Sequence, residues 1–109
     1  MDIPIPDEPK DIKNFIREVR MRLGSSRDIN YDNLAVWAFN ELPRYLWSRW
    51  RGILRKHGIS WQDFLKVLSF HTTEMVNWAL YDSIRWTDLI SSIVMTIKRI
   101  IAIGGLYRL

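Results

Sequence analysis

Arg44, Arg49, Arg51, Arg55 and Lys56 lie within the run RYLWSRWRGILRKH, together with Trp47 and Trp50, and no acidic residue occurs from Leu42 through Gln62. A guanidinium group stays charged at any physiological pH and donates paired hydrogen bonds to oxyanions, so these residue types point to phosphate or carboxylate binding. At about 100° per residue, Leu46, Trp50, Ile53 and Leu54 converge on one face of a helix. Arg44, Ser48, Arg51 and Arg55 form a stripe on the opposite face, with Arg49 and Lys56 on its flank. Ser48 and Gly52 add little bulk beside the arginines, which lets an anionic backbone come close.

Lys13, Arg17 and Arg20 recur at helical spacing on the first expected helix, and Arg22 and Arg27 follow nearby. If that helix lies beside the arginine-rich one, the two make a continuous positive strip, the electrostatic footprint of nucleic-acid binding. The acids concentrate elsewhere, in the N-terminal MDIPIPDEP and at Asp63, Glu74, Asp82 and Asp88, so a formal net charge of +4 understates the asymmetry. The plainer alternative is a solvated basic face paired with carboxylates of the next helix. Trp47 sits at the border of the apolar face and Arg51. There it can shield the core edge, make a cation–π contact or stack on an unpaired base. Trp37, Trp50, Trp61, Trp78 and Trp86 are expected to pack.

Residues suited to catalysis are few. The absence of cysteine removes disulfides, thiolate metal sites and a cysteine nucleophile. His57 and His71, fourteen residues apart, do not make a zinc site, and no Gly-rich phosphate loop or GxSxG elbow occurs. No enzyme, metal or cofactor is expected, and His71 is read as a core-edge residue without a partner or a role. The segment Arg51-Gly-Ile-Leu-Arg-Lys-His57 resembles the Arg-x4-6-His motif of HEPN-family ribonucleases, which are small, all-helical and commonly dimeric. That resemblance covers two residues, and Gly52 stands where the family often has a polar residue. It implies a general acid or base at His57 and a phosphate-steadying Arg51, and it ranks below the binding readings.

These side chains need a scaffold, and the pattern is helical throughout. Three copies of Ile-x-aromatic-x-Asp/Asn-apolar, at Ile29–Leu34, Ile59–Phe64 and Ile84–Leu89, read as helix starts. Ser60 with Asp63 makes a variant capping box and Ile59 with Phe64 a hydrophobic staple. Asn30 suits a cap, whereas Arg85 does not, so Ser83 or Thr87 also qualifies there. The segments between the copies do not match, which argues for convergent capping rather than a repeat.

The expected first helix covers residues 10–23, with Ile12, Phe15, Ile16, Val19 and Leu23 on one side. A second covers 31–41 and stops before Pro43, because proline has no amide hydrogen and disfavours a helical residue before it. A third starts at Pro43 and runs to His57, and a helix-turn-helix there lacks a glycine-bearing turn. A fourth runs from Trp61 to about Tyr81, whole or broken near His71-Thr72-Thr73. The last, about 87–103, is rich in isoleucine and closes at Gly104-Gly105, either as the central core helix or as a homodimer seam over Leu89–Ile101.

The reading is therefore an all-α, single small helical bundle of about five helices. It comprises an extended acidic arm over 1–9, a bundle over 10–105 and a tail over 106–109. With 109 residues, one domain is expected. The acidic, proline-bearing start is unlike a signal peptide, and Leu89–Ile97 is too short to span a bilayer, so a cytoplasmic protein without a membrane partner is expected. Its expected partner is DNA or RNA, held mainly through phosphate by Arg44, Arg49, Arg51, Arg55, Lys56, Lys13, Arg17 and Arg20, with Trp47 beside them. The competing reading is an assembly subunit, a homodimer or an adaptor for a protein partner, without nucleic-acid contact.

Overall fold

A computed structural model describes the backbone of residues 2–23 and 31–106, and their side chains apart from 16, 18–23 and 31–39. Gly24, Arg27, Asn30 and the end of the tail fall outside the described residues, as do the side chains of Arg20, Arg22 and Trp37. Five α-helices and no strand occur among the described residues: α1 (Lys10–Leu23), α2 (Tyr31–Lys56), α3 (Trp61–Ser69), α4 (Thr72–Ala79) and α5 (Trp86–Ile103). The all-α bundle is as expected; its division into helices differs in one place.

Residues 31–56 form one helix, with Pro43 inside it, where two helices were expected. Proline in a helix interior costs about 3 kcal/mol, because it donates no hydrogen bond and its ring crowds the preceding turn. Leu42, Leu46, Trp50 and Leu54 follow one another at four-residue intervals, each no more than 1% exposed. Burying a side chain of this size contributes about 1.5–3 kcal/mol, so the continuous apolar edge outweighs the proline. A helix-turn-helix at Pro43 is therefore excluded.

The helix α2 packs on α1, α3 and α4, while α5 packs on α3 and α4. Their shared core includes Trp50, Trp78, Phe64, Leu89, Ile93 and Ile97, all without exposed surface. The capping box at α3 is present: Asp63 N–H donates to Ser60 Oγ at 3.1 Å, and Ser60 N–H donates to Asp63 Oδ2 at 3.2 Å. Ile59 and Phe64 are both buried, as a staple requires. At α5 the cap position falls on Arg85, whose side chain makes no capping bond and instead pairs with Asp88 at 3.2 Å. Gly58 and Gly104 sit at φ 75° and 92°, and the residue after each returns a hydrogen bond five residues back, to Leu54 and Ile100. This left-handed geometry ends α2 and α5 where the two glycines stand.

The polypeptide before α1 is clasped into the bundle, although its irregular backbone was expected as a simple extended arm. Ile3 is 5% exposed and belongs to the core. Trp50 Nε1 donates to the Pro4 carbonyl at 2.8 Å, Trp86 Nε1 to the Pro6 carbonyl at 2.7 Å and Trp78 Nε1 to Glu8 Oε1 at 2.9 Å. Leu89, Ile90, Ile93, Val94, Ile97 and Ile100 are buried in the same chain. The isoleucine-rich face of α5 thus lies in the core, and a homodimer seam over Leu89–Ile101 would have to use what that face leaves outside, where Met95 is 71% exposed. Phe15, expected in the core, is 45% exposed.

Removing residues 1–8 takes the acceptors from three indole donors, and each buried donor left without a partner costs about 1–3 kcal/mol. Urea unfolding of the truncated chain should show stability lower by at least ~3 kcal/mol. An unchanged midpoint would show that the clasp contributes nothing.

Candidate phosphate-binding face

The exposed side of α2 follows from the same helical period that buries the other side. Because Leu42, Leu46, Trp50 and Leu54 face the core, Arg44, Ser48, Arg51 and Arg55 must face solvent, and all four are exposed. Arg49 and Lys56 are exposed on the flank. None of the five cations forms a salt bridge with a described residue. The carboxylate pairing that would make this a neutralised surface is absent among the described residues.

Two arginines rest on aromatic rings. Arg49 lies over Tyr45 at 5.2 Å from the ring centroid, and Arg55 over Trp47 at 5.6 Å. Such contacts contribute about 0.5–1 kcal/mol at exposed sites and leave the edge of the guanidinium fork open to an oxyanion. Trp47 itself is packed: its ring lies 5.6 Å from Trp61, edge to face, and 5.7 Å from Phe64. Two of the three roles considered for Trp47 are therefore present, the core-edge shield and the cation–π platform. A base stacking on the ring face that Arg55 covers would have to displace that arginine.

The lateral extension of the strip is narrower than expected. Lys13 turns inward, its side chain only 16% exposed, to pair with Glu8 at 3.4 Å and with Asp82, and it lies over Trp78 at 5.5 Å. It ties the N-terminal segment and the α4–α5 loop to α1 rather than presenting charge to a ligand. Arg17 is exposed, and Arg20 is outside the described side chains. The candidate site is thus the α2 stripe, with Arg17 and Lys10 the exposed cations among the described side chains of α1.

Arg51 and His57, paired by the ribonuclease resemblance, occupy different surroundings. Arg51 is on the outer stripe of α2, whereas His57 lies beyond its last turn and lines a cavity shared with α3 and α5, which Arg51 does not reach.

His71 corrects the expectation of a residue without partners. It is 7% exposed, with Nδ1 donating to Glu74 Oε1 at 2.9 Å and Nε2 paired with Thr96 Oγ1 at 2.7 Å. The arrangement joins the α3–α4 corner to α5 with both ring nitrogens satisfied, which explains how a histidine is buried there. Glu74 at three residues' distance was the one local signal; Thr96, distant in sequence, gave none. No group of three or more metal-ligating side chains occurs among the described residues, and no helix there is long and apolar enough to cross a membrane.

Thr96→Val removes a partner of a buried imidazole and should cost about 1–3 kcal/mol in chemical denaturation, with loss of less than ~0.5 kcal/mol refuting the tie. Gly52 is exposed inside α2, and a Cβ there meets nothing within 4 Å. Gly52→Ala should therefore raise stability by ~0.5–1 kcal/mol in thermal unfolding, and a destabilised variant would contradict the open surface described.

Comparison with known protein families, with curated proteins and with solved structures returns no match, so the function of this chain is argued from its own residues.

Proposed function

We propose that this chain binds nucleic acid through the phosphate backbone, with little reading of sequence. The observation that supports it is the α2 stripe: Arg44, Arg49, Arg51, Arg55 and Lys56 are exposed on one helix with no salt-bridge partner among the described residues. A solvated face needs no such segregation of sign, whereas a polyanion is attracted by it over a Debye length. Arginine-to-phosphate bonds fix position rather than sequence, and the stripe carries no Asn or Gln placed to read adenine. A reducing, cytoplasmic setting suits a chain without cysteine.

The competing reading, an assembly subunit, draws on Phe70 and Met95, which are 56% and 71% exposed and line one cleft between the α3–α4 corner and α5. Large apolar side chains brought together on a surface mark contact sites more often than single exposed ones do. The two readings separate in one experiment. Labelled DNA and RNA, single- and double-stranded, are titrated by fluorescence anisotropy across a range of salt. Binding should weaken with a slope of about −0.7 to −0.9 in log K against log salt per phosphate contact. Arg44→Glu, Arg51→Glu and Arg55→Glu together should abolish it while the circular dichroism spectrum is unchanged. If the wild type binds none of these at low salt, the nucleic-acid reading is lost and assembly through the Phe70–Met95 cleft takes its place.

A further inference from the structure

The last turns of α2 and α5 and one side of α3 line a cavity of about 320 Å³. Its floor is apolar, made of Ile59, Val67 and Ile100, and its rim carries His57, Asp63 and Leu106. The volume falls at the low end of the range for small-molecule pockets. Gly58 and Gly105 line it where α2 and α5 end, and a Cβ at either meets nothing within 4 Å.

The cavity and the stripe ask for different chemistries. Inside, the fixed charges are those of acceptors. Asp63 gives Oδ2 to its own capping box, while Oδ1 has no hydrogen-bond partner among the described residues. The carboxyl ends of two helices add negative partial charge there, partly offset by the amino end of α3 beside Asp63, so the Asp63 carboxylate is the deciding charge. An anion is therefore unwelcome, and a flat, largely apolar group bearing N–H donors fits. Arg55 and Lys56, the two residues before the rim residue His57, are exposed cations suited to phosphate. A nucleotide joins those two chemistries in one unit.

We infer that the cavity takes one unstacked nucleobase of a single strand, its exocyclic amino group toward Asp63, while neighbouring phosphates lie on Arg55 and Lys56. This rests on the nucleic-acid reading given above and adds a ligand class to it. His57 at the rim offers a ring on which the base stacks. A duplex keeps its bases paired and must extrude one to fill the cavity. Electrostatics alone favours the opposite order, because a duplex carries the higher phosphate density and the steeper salt dependence. A preference for single strands thus reports the cavity and not the stripe.

The test compares labelled single strands of about 10 nucleotides, oligo-C and oligo-U, with a duplex of equal length by anisotropy at fixed salt. Inorganic polyphosphate serves as a competitor that has phosphate and no base. Wild type should bind oligo-C more tightly than oligo-U and the duplex, by a factor of roughly 5 to 150. Ile101→Trp and Leu106→Phe, both at partly exposed lining positions, fill the cavity by different routes. Each should bring oligo-C down to the level of the duplex while polyphosphate still competes. The cavity proposal is overturned if wild type binds all three nucleic acids alike, or if either variant, folded by circular dichroism, keeps the preference. In those cases binding that is still lost on charge reversal of Arg44, Arg51 and Arg55 leaves the phosphate reading standing. Absence of any binding by wild type removes both.

Discussion

A buried indole N–H must find an acceptor, and in an all-helical protein acceptors are scarce, because helical carbonyls are already paired along the axis. Trp50, Trp78 and Trp86 place three such donors in or at the edge of the core. The solution is the proline-bearing segment before α1. Pro4, Pro6 and Pro9 donate no amide hydrogen and hold that segment out of a helix, so its carbonyls stay available. Those of Pro4 and Pro6, with the Glu8 carboxylate, accept the three indoles. Glu8 is in turn bonded to Lys13, which reaches Asp82 in the α4–α5 loop. Core, arm and loop are thus joined through one set of polar contacts. A small domain that buries three tryptophans depends on this strip of acceptors to satisfy their donors.

The same requirement explains what could and could not be read along the chain. Helix periodicity is a local property, so α1, α5, the capping box of Ser60 with Asp63 and the glycine stops were legible from neighbouring residues. The two faces of α2 were legible for the same reason. The extension of α2 through Pro43 was not, because its outcome rests on a comparison between about 3 kcal/mol lost at one residue and the burial of Leu42, Leu46, Trp50 and Leu54. That sum needs a partner surface, which single-sequence periodicity does not supply. The clasping of the N-terminal segment, the ion pairs of Lys13 and the bond from His71 to Thr96 join residues far apart in sequence, and no spacing rule reports such contacts. Lys13 shows the consequence for function. At i, i+4 and i+7 it belongs with Arg17 and Arg20, yet Trp78 and Asp82 draw it inward and shorten the positive strip.

Helix α2 consequently has two unequal duties on one period. Its inner face is fixed by the core, since its residues cannot be exchanged for polar ones without leaving a cavity or an unpaired group among the aromatic rings. Its outer face carries no structural duty of that kind. Arg49 and Arg55 lie on Tyr45 and Trp47, rings that themselves border the core. The core therefore orients part of the charge, and a guanidinium already held over a ring loses less side-chain freedom when an oxyanion arrives. Five like charges on one side of one helix repel each other, and no acid from Leu42 through Gln62 relieves them locally. Such repulsion is a small cost at physiological ionic strength and is removed by a polyanion, whose bound counterions are released in return. On the proposed function, the segregation of sign along α2 would stabilise a complex rather than the free domain, which is the difference between a binding face and a solvated one.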